Sequence, residues 1–255
     1  MKILVTGGGG FLGKAICRQL LARGEQVTAF QRSASEDLQQ LGARVIRGDI
    51  SDAESLHKAL KGMDAVIHTA AKAGLSVNYD DYFRPNVIGT DNVISGCLNH
   101  AIRKLVFTSS PSVTHADGDI EGGDESLPYA KHYNSPYPAT KALAEQRVMQ
   151  ANCADLQTVS LRPHLVWGPG DNHLLPNLLK RAESGKLRLP GPDKLIDTVY
   201  IDNAANAHLL ALDALQEKPA VVAGKTYFIS NDEPRSQAEI IGGLLKAAGL
   251  EIDIE

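Results

Sequence analysis

Cysteine is scarce in this chain. There are three in 255 residues, and Cys17, Cys97 and Cys153 are scattered with no CxxC spacing. That argues against a disulfide framework or a cysteine-built metal site, and it predicts buried or free thiols in a reducing compartment. Also missing is any run of lysine and arginine. The formal net charge is -4, so nucleic acid is not expected as the main partner. No apolar stretch is long enough to span a membrane, and Ile3-Leu4-Val5 is too short for the core of a signal peptide. A cytoplasmic protein is expected. What the chain does have is 43% hydrophobic residues over a length that can bury one large domain or one and a half.

The first half alternates short apolar runs with amphipathic ones. Strands are expected at 2–5, 26–30, 43–47, 64–68, 104–108 and 158–162. Helices are expected at 11–23, 36–41, 55–60, 86–99 and 139–152. Strand–helix alternation of this kind predicts an α/β fold with a parallel, doubly wound sheet, the Rossmann arrangement. Residues 1–165 are read as the dinucleotide-binding domain. Residues 166–255 are read as a substrate lobe, with segments near 195–215 returning to the core. In that lobe the pattern predicts a helix at 174–184, a strand at 195–201, a helix at 204–215 and a strand at 225–230. Ser236-Gln237-Ala238-Glu239 has capping-box form and opens a last helix that ends near Gly249. The alternating tail 250–255 reads as the start of another strand.

Thr6-Gly7-Gly8-Gly9-Gly10-Phe11-Leu12-Gly13 lies between the first strand and the first helix. Glycines there let the backbone turn tightly and approach a pyrophosphate seated on the helix N-terminus. The helix dipole favours an anion at that point by about 1 kcal/mol. Gly7, Gly10, Phe11, Leu12 and Gly13 are the expected contacts. An acidic residue at the end of the second strand would hold the adenosine ribose, but Gln31-Arg32 stands there. No carboxylate repels a 2′-phosphate, and Arg32, unless it is simply a solvated surface residue, can pair with one. NADP(H) is therefore favoured over NAD(H). Asp49 and Ile50 close the third strand, where an Asp can reach the adenine amino group. Ala70 and Ala71 follow the fourth, where small residues leave room for ribose and phosphates.

Tyr137-Pro138-Ala139-Thr140-Lys141 places Tyr and Lys four apart, on one face of a helix that begins near Pro138. A free phenol has a pKa near ~10, and a cation within a few ångströms would lower it toward use as an acid or base. The fifth strand ends in Thr108-Ser109-Ser110. A hydroxyl at that edge would face the same crevice and steady charge developing on a carbonyl oxygen. Ser110 is the first choice and Ser109 the second, because a slip of one residue reverses which of them faces the site.

The set TGxxGxxG, Ser110 and YxxxK resembles the extended short-chain dehydrogenase/reductase family. Asn86-Val87-Ile88-Gly89-Thr90, the segment from Arg162 to Pro169 and the segment from Val199 to Ala207 are similar to further signatures of that family. The resemblance runs from residue 6 to about 208. It implies that Ser110 and Tyr137 hold the reacting oxygen, that Lys141 binds the nicotinamide ribose and lowers the Tyr137 pKa, and that Pro163 packs beside the nicotinamide. Within the family, the stretches 68–74, 108–113, 124–129 and 162–171 look most like the 3β-hydroxysteroid dehydrogenase-like branch. In that branch they are most similar to the bacterial 2-alkyl-3-oxoalkanoate reductases of olefin biosynthesis, and next to sterol-4-carboxylate 3-dehydrogenases. The implied partner is a small hydrophobic substrate, and the implied state is a homodimer or a subunit of a biosynthetic assembly. Lys72 and His164 are candidates for binding a substrate carboxylate, though each also reads as a local structural residue. A sugar-nucleotide epimerase or dehydratase and a non-catalytic dinucleotide sensor are the other readings. Extended members usually continue further, so the lobe ending at Glu255 is expected to be incomplete.

Overall fold

The computed structural model describes residues 1–74 and 76–250. Its elements, in chain order, are β1 (Lys2–Thr6), α1 (Phe11–Ala22), β2 (Gln26–Gln31), α2 (Glu36–Gln40), β3 (Arg44–Arg47), α3 (Ala53–Leu60), β4 (Ala65–His68), α4 (Asp80–Phe83), α5 (Gly89–Asn99), β5 (Lys104–Thr108), α6 (Pro136–Gln150), β6 (Gln157–Pro163), β7 (Leu165–Trp167), α7 (Leu174–Glu183), β8 (Leu195–Ile196), β9 (Thr198–Tyr200), α8 (Ile201–Glu217), α9 (Pro219–Val222), β10 (Lys225–Ile229), β11 (Arg235–Ser236) and α10 (Gln237–Ala247).

Seven strands form one sheet in the order β10-β6-β5-β4-β1-β2-β3. Every pairing in it is parallel. This is the doubly wound Rossmann sheet that the alternating pattern predicts. The central strands are apolar throughout because both faces are covered, and successive side chains feed opposite cores. Ile3, Val5, Val106, Val159 and Leu161 join Ile16, Leu20 and Leu209 in one core, under α1 and α8. Leu4, Val66, Leu105 and Phe107 join Leu56, Leu60, Ala144 and Val148 in the other, under α3 and α6. Each such side chain contributes about 1.5–3 kcal/mol by leaving water. The order reverses between β1 and β4, which opens a crevice at the C-terminal ends of the strands.

Local chemistry explains the helix ends. Asp52 caps α3 by accepting from the Glu54 and Ser55 amides. Pro136 and Pro138 occupy the first turn of α6, where their missing N–H groups cost nothing. The capping box at Ser236 and Glu239 is present on α10.

Two elements differ from expectation. The helix expected at 86–99 is preceded by α4 and a π-helical turn, Arg84–Ile88, before α5 begins. Pro85 lies in that widened stretch. It has no N–H to donate and crowds the turn before it. The strand expected at 195–201 is two strands with different partners. β8 pairs antiparallel with β11, β9 pairs parallel with β7, and Ile201 already opens α8. Alternation shows that a segment is extended but not which neighbour it joins. Of the tail read as a strand, 251–255 lie outside the described residues. After residue 166 the chain does not stay apart from the sheet: α8 packs on α1, and β10 becomes the seventh strand beside β6.

One buried ion pair ties α6 to the sheet. Glu145 of α6 is fully buried and accepts from the Arg162 guanidinium of β6 at 3.0 and 2.6 Å. The Tyr129 hydroxyl donates to the same carboxylate at 2.7 Å. Removing one partner strands the other charge without water. Glu145→Ala is therefore expected to cost about 3–5 kcal/mol and to lower the melting temperature by roughly 10 °C, measured by circular dichroism. A loss under about 1 kcal/mol, the range of exposed pairs, would contradict this account of the pair.

Candidate dinucleotide and proton-transfer site

The glycine turn is built for close approach. Gly7 is left-handed, with φ of 69°. A Cβ there would lie 2.9 Å from the Ala70 backbone, and one on Gly13 would lie 2.2 Å from the Gly7 carbonyl oxygen. The Gly7 amide donates to Phe30 O at 2.8 Å and the Gly10 amide to Gly7 O at 2.9 Å. Helix α1 opens at Phe11 with no side-chain cap and no acidic residue in its first turn. The amides of Phe11, Leu12 and Gly13 thus have no partner within the helix, and its positive end is not neutralised. The turn fits a dinucleotide pyrophosphate.

The other expected cofactor contacts gather along the same sheet edge. Gln31 ends β2, buried, with its side chain over Gly9 and its Oε1 without a partner among the described residues. Arg32 follows it, exposed, with no ion-pair partner among the described residues. Asp49 is exposed and accepts from the Ser51 amide at 2.8 Å, while Ile50 is buried against Gly89. Ala70 lies against Gly7, and Ala71 is exposed beside it. Pro163 is the last residue of β6.

The α6 residues stand next to this edge. Ser110 ends the run after β5 and caps a single 3-10 turn, with its Oγ 2.8 Å from Ser112 Oγ. It is also the neighbour whose hydroxyl acts to lower the Tyr137 pKa. Ser109 points inward, buried, with no side-chain partner among the described residues. Lys141 is 3% exposed. Its Nζ donates to Thr108 O at 2.6 Å and lies 4.2 Å from the centre of the Phe107 ring. Burial pushes the lysine down to about 7, against the pull of Glu145 one turn on.

The phenol departs from expectation. The Tyr–Lys spacing predicts a cation that lowers the Tyr137 pKa, but burial raises it, and the group that opposes the rise is Ser110. The cause is geometric: the Lys141 ammonium is engaged by a backbone carbonyl, and desolvation disfavours the phenolate. A phenol held above its ordinary value keeps its proton, which suits a proton donor.

Lys72 and His164 are both engaged locally. Lys72 pairs with Asp81 at 2.9 Å and lies 5.3 Å from the Tyr82 ring centre. The His164 ring rests on Phe228, and burial lowers its pKa. Sequence reasoning missed Glu145, Tyr129 and His208. Glu145 continues the Tyr137–Lys141 row at the same four-residue step, and Arg162 is a charge inside a buried strand. A charge so placed demands a partner, and that was the available signal. His208 of α8 is buried, gives its Nδ1–H to Ala204 O at 2.7 Å and accepts from Thr108 Oγ1 at 2.8 Å. It ties α8 to the residue whose carbonyl holds Lys141.

Residues 4–254 match the 3-beta hydroxysteroid dehydrogenase/isomerase family. The chain belongs to this family. Its members are NAD(P)-dependent oxidoreductases. The chain is 55% identical over 252 residues to the 2-alkyl-3-oxoalkanoate reductase of Stenotrophomonas maltophilia, covering 98% of this chain and 76% of that protein. It is 38% identical over 237 residues to the human sterol-4-alpha-carboxylate 3-dehydrogenase, decarboxylating, covering 91% of this chain and 63% of that one. Among solved structures, the UDP-glucose 4-epimerase of Thermus thermophilus in complex with NAD is similar over all of this chain and 86% of its own. The TM-score is 0.81 and the identity 28%. No described helix is long and apolar enough to cross a membrane.

Two buried histidines beside the family site give it a pH dependence. Burial lowers His208 to about 4 and, with the charge of Lys141, His68 to about 3. Both are neutral when folded, whereas the unfolded chain protonates them near ~6.5. Their stabilisation is complete above that value and falls as the pH drops toward the folded values. The slope is about 1.4 kcal/mol per pH unit for each histidine. Melting temperatures should drop from pH 7 to pH 5, and His208→Gln should make the drop shallower. An unchanged slope in the variant would refute the assignment to His208.

Proposed function

We propose that this chain uses NADPH to reduce the 3-oxo group of a long-chain 2-alkyl-3-oxoalkanoate to the 3-hydroxy acid, a step of olefin biosynthesis. The observation that carries the reading is the 55% identity, over nearly the whole chain, to a protein named for that reaction. The proton-transfer residues agree with it. NADPH, when bound, supplies the hydride that forms the new C–H bond at C3. The C=O π pair moves onto oxygen, and Tyr137 gives that oxygen its proton. Ser110, the hydroxyl that acts on the Tyr137 phenol, holds the same oxygen and steadies its developing charge. Lys141 completes the row and carries the ribose of the cofactor. Reduction consumes one proton, which returns to Tyr137 from solvent. The product no longer has a carbonyl β to its carboxylate, so it cannot lose carbon dioxide as a β-oxo acid does.

Arg32 carries the preference for NADPH. It is exposed at the end of β2 with no carboxylate paired to it among the described residues, and its guanidinium can take a 2′-phosphate by two parallel hydrogen bonds. A second reading is oxidation at C3 of a sterol 4-carboxylate, favoured by the 38% identity to the human dehydrogenase. The two share a β-oxo/β-hydroxy acid and so the same site chemistry.

NADPH oxidation with a long-chain 2-alkyl-3-oxo acid, 3-oxosteroids and UDP-sugars separates these readings. Turnover is expected with the oxo acid. Turnover with a steroid or UDP-sugar alone would overturn the proposal. Tyr137→Phe should lower kcat by about 10²–10⁴ with little change in NADPH affinity. Arg32→Ala should weaken NADPH while sparing NADH. A preference that survives the substitution would remove Arg32 from the account.

A further inference from the structure

His68 is the last residue of β4 and is completely buried, yet both ring nitrogens have partners. Nδ1 is 2.7 Å from Thr6 Oγ1 and Nε2 is 3.0 Å from Thr90 Oγ1. The direction of each bond follows by elimination. The single hydroxyl proton of Thr90 goes to Asn86 O at 2.6 Å, and a carbonyl can only accept. Thr90 Oγ1 must therefore accept from His68, so Nε2 carries the ring proton. Nδ1 is then bare and accepts from Thr6, whose oxygen in turn accepts from the Ala70 amide at 3.3 Å.

The chain continues past Asn86. Its Nδ2 donates to Thr140 Oγ1 at 3.1 Å and to Lys72 O at 3.1 Å, and its Oδ1 accepts from the Lys72 amide at 2.7 Å. The single hydroxyl proton of Thr140 is shared between Pro136 O at 2.8 Å and Tyr137 O at 3.0 Å. A directed series of hydrogen bonds thus runs from Thr6, the residue before Gly7, through His68, Thr90, Asn86 and Thr140 to the main chain of Tyr137. It crosses the crevice where the strand order reverses, and it uses the π-helical turn as its middle span.

We propose that His68 is a positioning residue that couples the glycine turn to the first turn of α6. Through Thr6 it fixes the turn that takes the pyrophosphate. Through Thr90, Asn86 and Thr140 it fixes the peptide that carries the Tyr137 phenol. Only the Nε2–H tautomer satisfies both sides. A purely apolar side chain of the same size would fill the space and leave the two sides independent. The effect on kcat rests on the proposed reduction, whereas the tautomer and cofactor affinity do not.

The two halves of the imidazole can be cut separately. Asparagine can keep an acceptor for Thr6 and loses the reach to Thr90. Glutamine keeps a donor for Thr90 and loses the acceptor near Thr6. His68→Asn and Thr90→Val are expected to lower kcat about tenfold, the scale of one lost buried hydrogen bond, with the NADPH Kd within about threefold of wild type. His68→Gln is expected to show the reverse emphasis, with the larger loss, about tenfold, in the NADPH Kd measured by fluorescence. In ¹⁵N spectra of the wild type, His68 should be protonated at Nε2 and bare at Nδ1 from pH 8 to pH 5. The opposite tautomer would overturn the proposal. So would parallel losses of kcat and Kd that follow the folded fraction in all three variants, or no change in either. Should the wild type leave the oxo acid untouched, the reading of function falls, and the tautomer and Kd still decide the role of His68.

Discussion

The carboxylate of Glu145 is the constraint around which the rest is arranged. A charge with no exposure is costly unless it is paired and hydrogen-bonded. Here Arg162 supplies two hydrogen bonds and Tyr129 a third. Those three donors come from β6 and from the segment leading into α6, so the pair sets the height and rotation of α6 against the sheet. Tyr137 and Lys141 lie two turns and one turn earlier on the same helix stripe. Arg162 is also the residue before Pro163. The position of the phenol, the ammonium and the end of β6 is therefore one geometric fact rather than three.

Backbone groups hold most of the remaining site. The glycine turn presents amides, and its spacing depends on Gly13 packing against the Gly7 carbonyl with no room for a side chain. Lys141 is held by the carbonyl of Thr108, and the side chain of that threonine is held by His208 from α8. A helix from the second half of the chain thus steadies the site formed in the first half. β10 does the same for β6 by pairing along its outer edge.

How much of this could be read from the sequence depended on distance along the chain. The glycine turn, the Tyr137–Lys141 spacing and the strand–helix alternation are local patterns, and the sheet has the order they imply. Sequence alone left Ser110 and Ser109 open, because strand phase at the end of β5 cannot be told without the sheet. In the fold, Ser109 turns inward, whereas Ser110 caps the turn after β5 and acts on the Tyr137 phenol. The long-range partners were not legible. Nothing near Lys141 announces that Thr108 O will accept its hydrogen bond, or that burial will raise the Tyr137 phenol instead of a cation lowering it. The change of partner at Asp197, between β8 and β9, is equally a property of the neighbours those strands meet.

The crevice between the glycine turn and α6 unites these features, and the chemistry proposed for it is delivery of hydride to C3 of a β-oxo acid. Reduction of a long-chain 2-alkyl-3-oxoalkanoate with NADPH dideuterated at the nicotinamide C4, followed by mass spectrometry of the product, tests it directly. The account predicts one deuterium in the 3-hydroxy acid, bound to C3, and none at C2. An unlabelled product, or label on any other carbon, would contradict it.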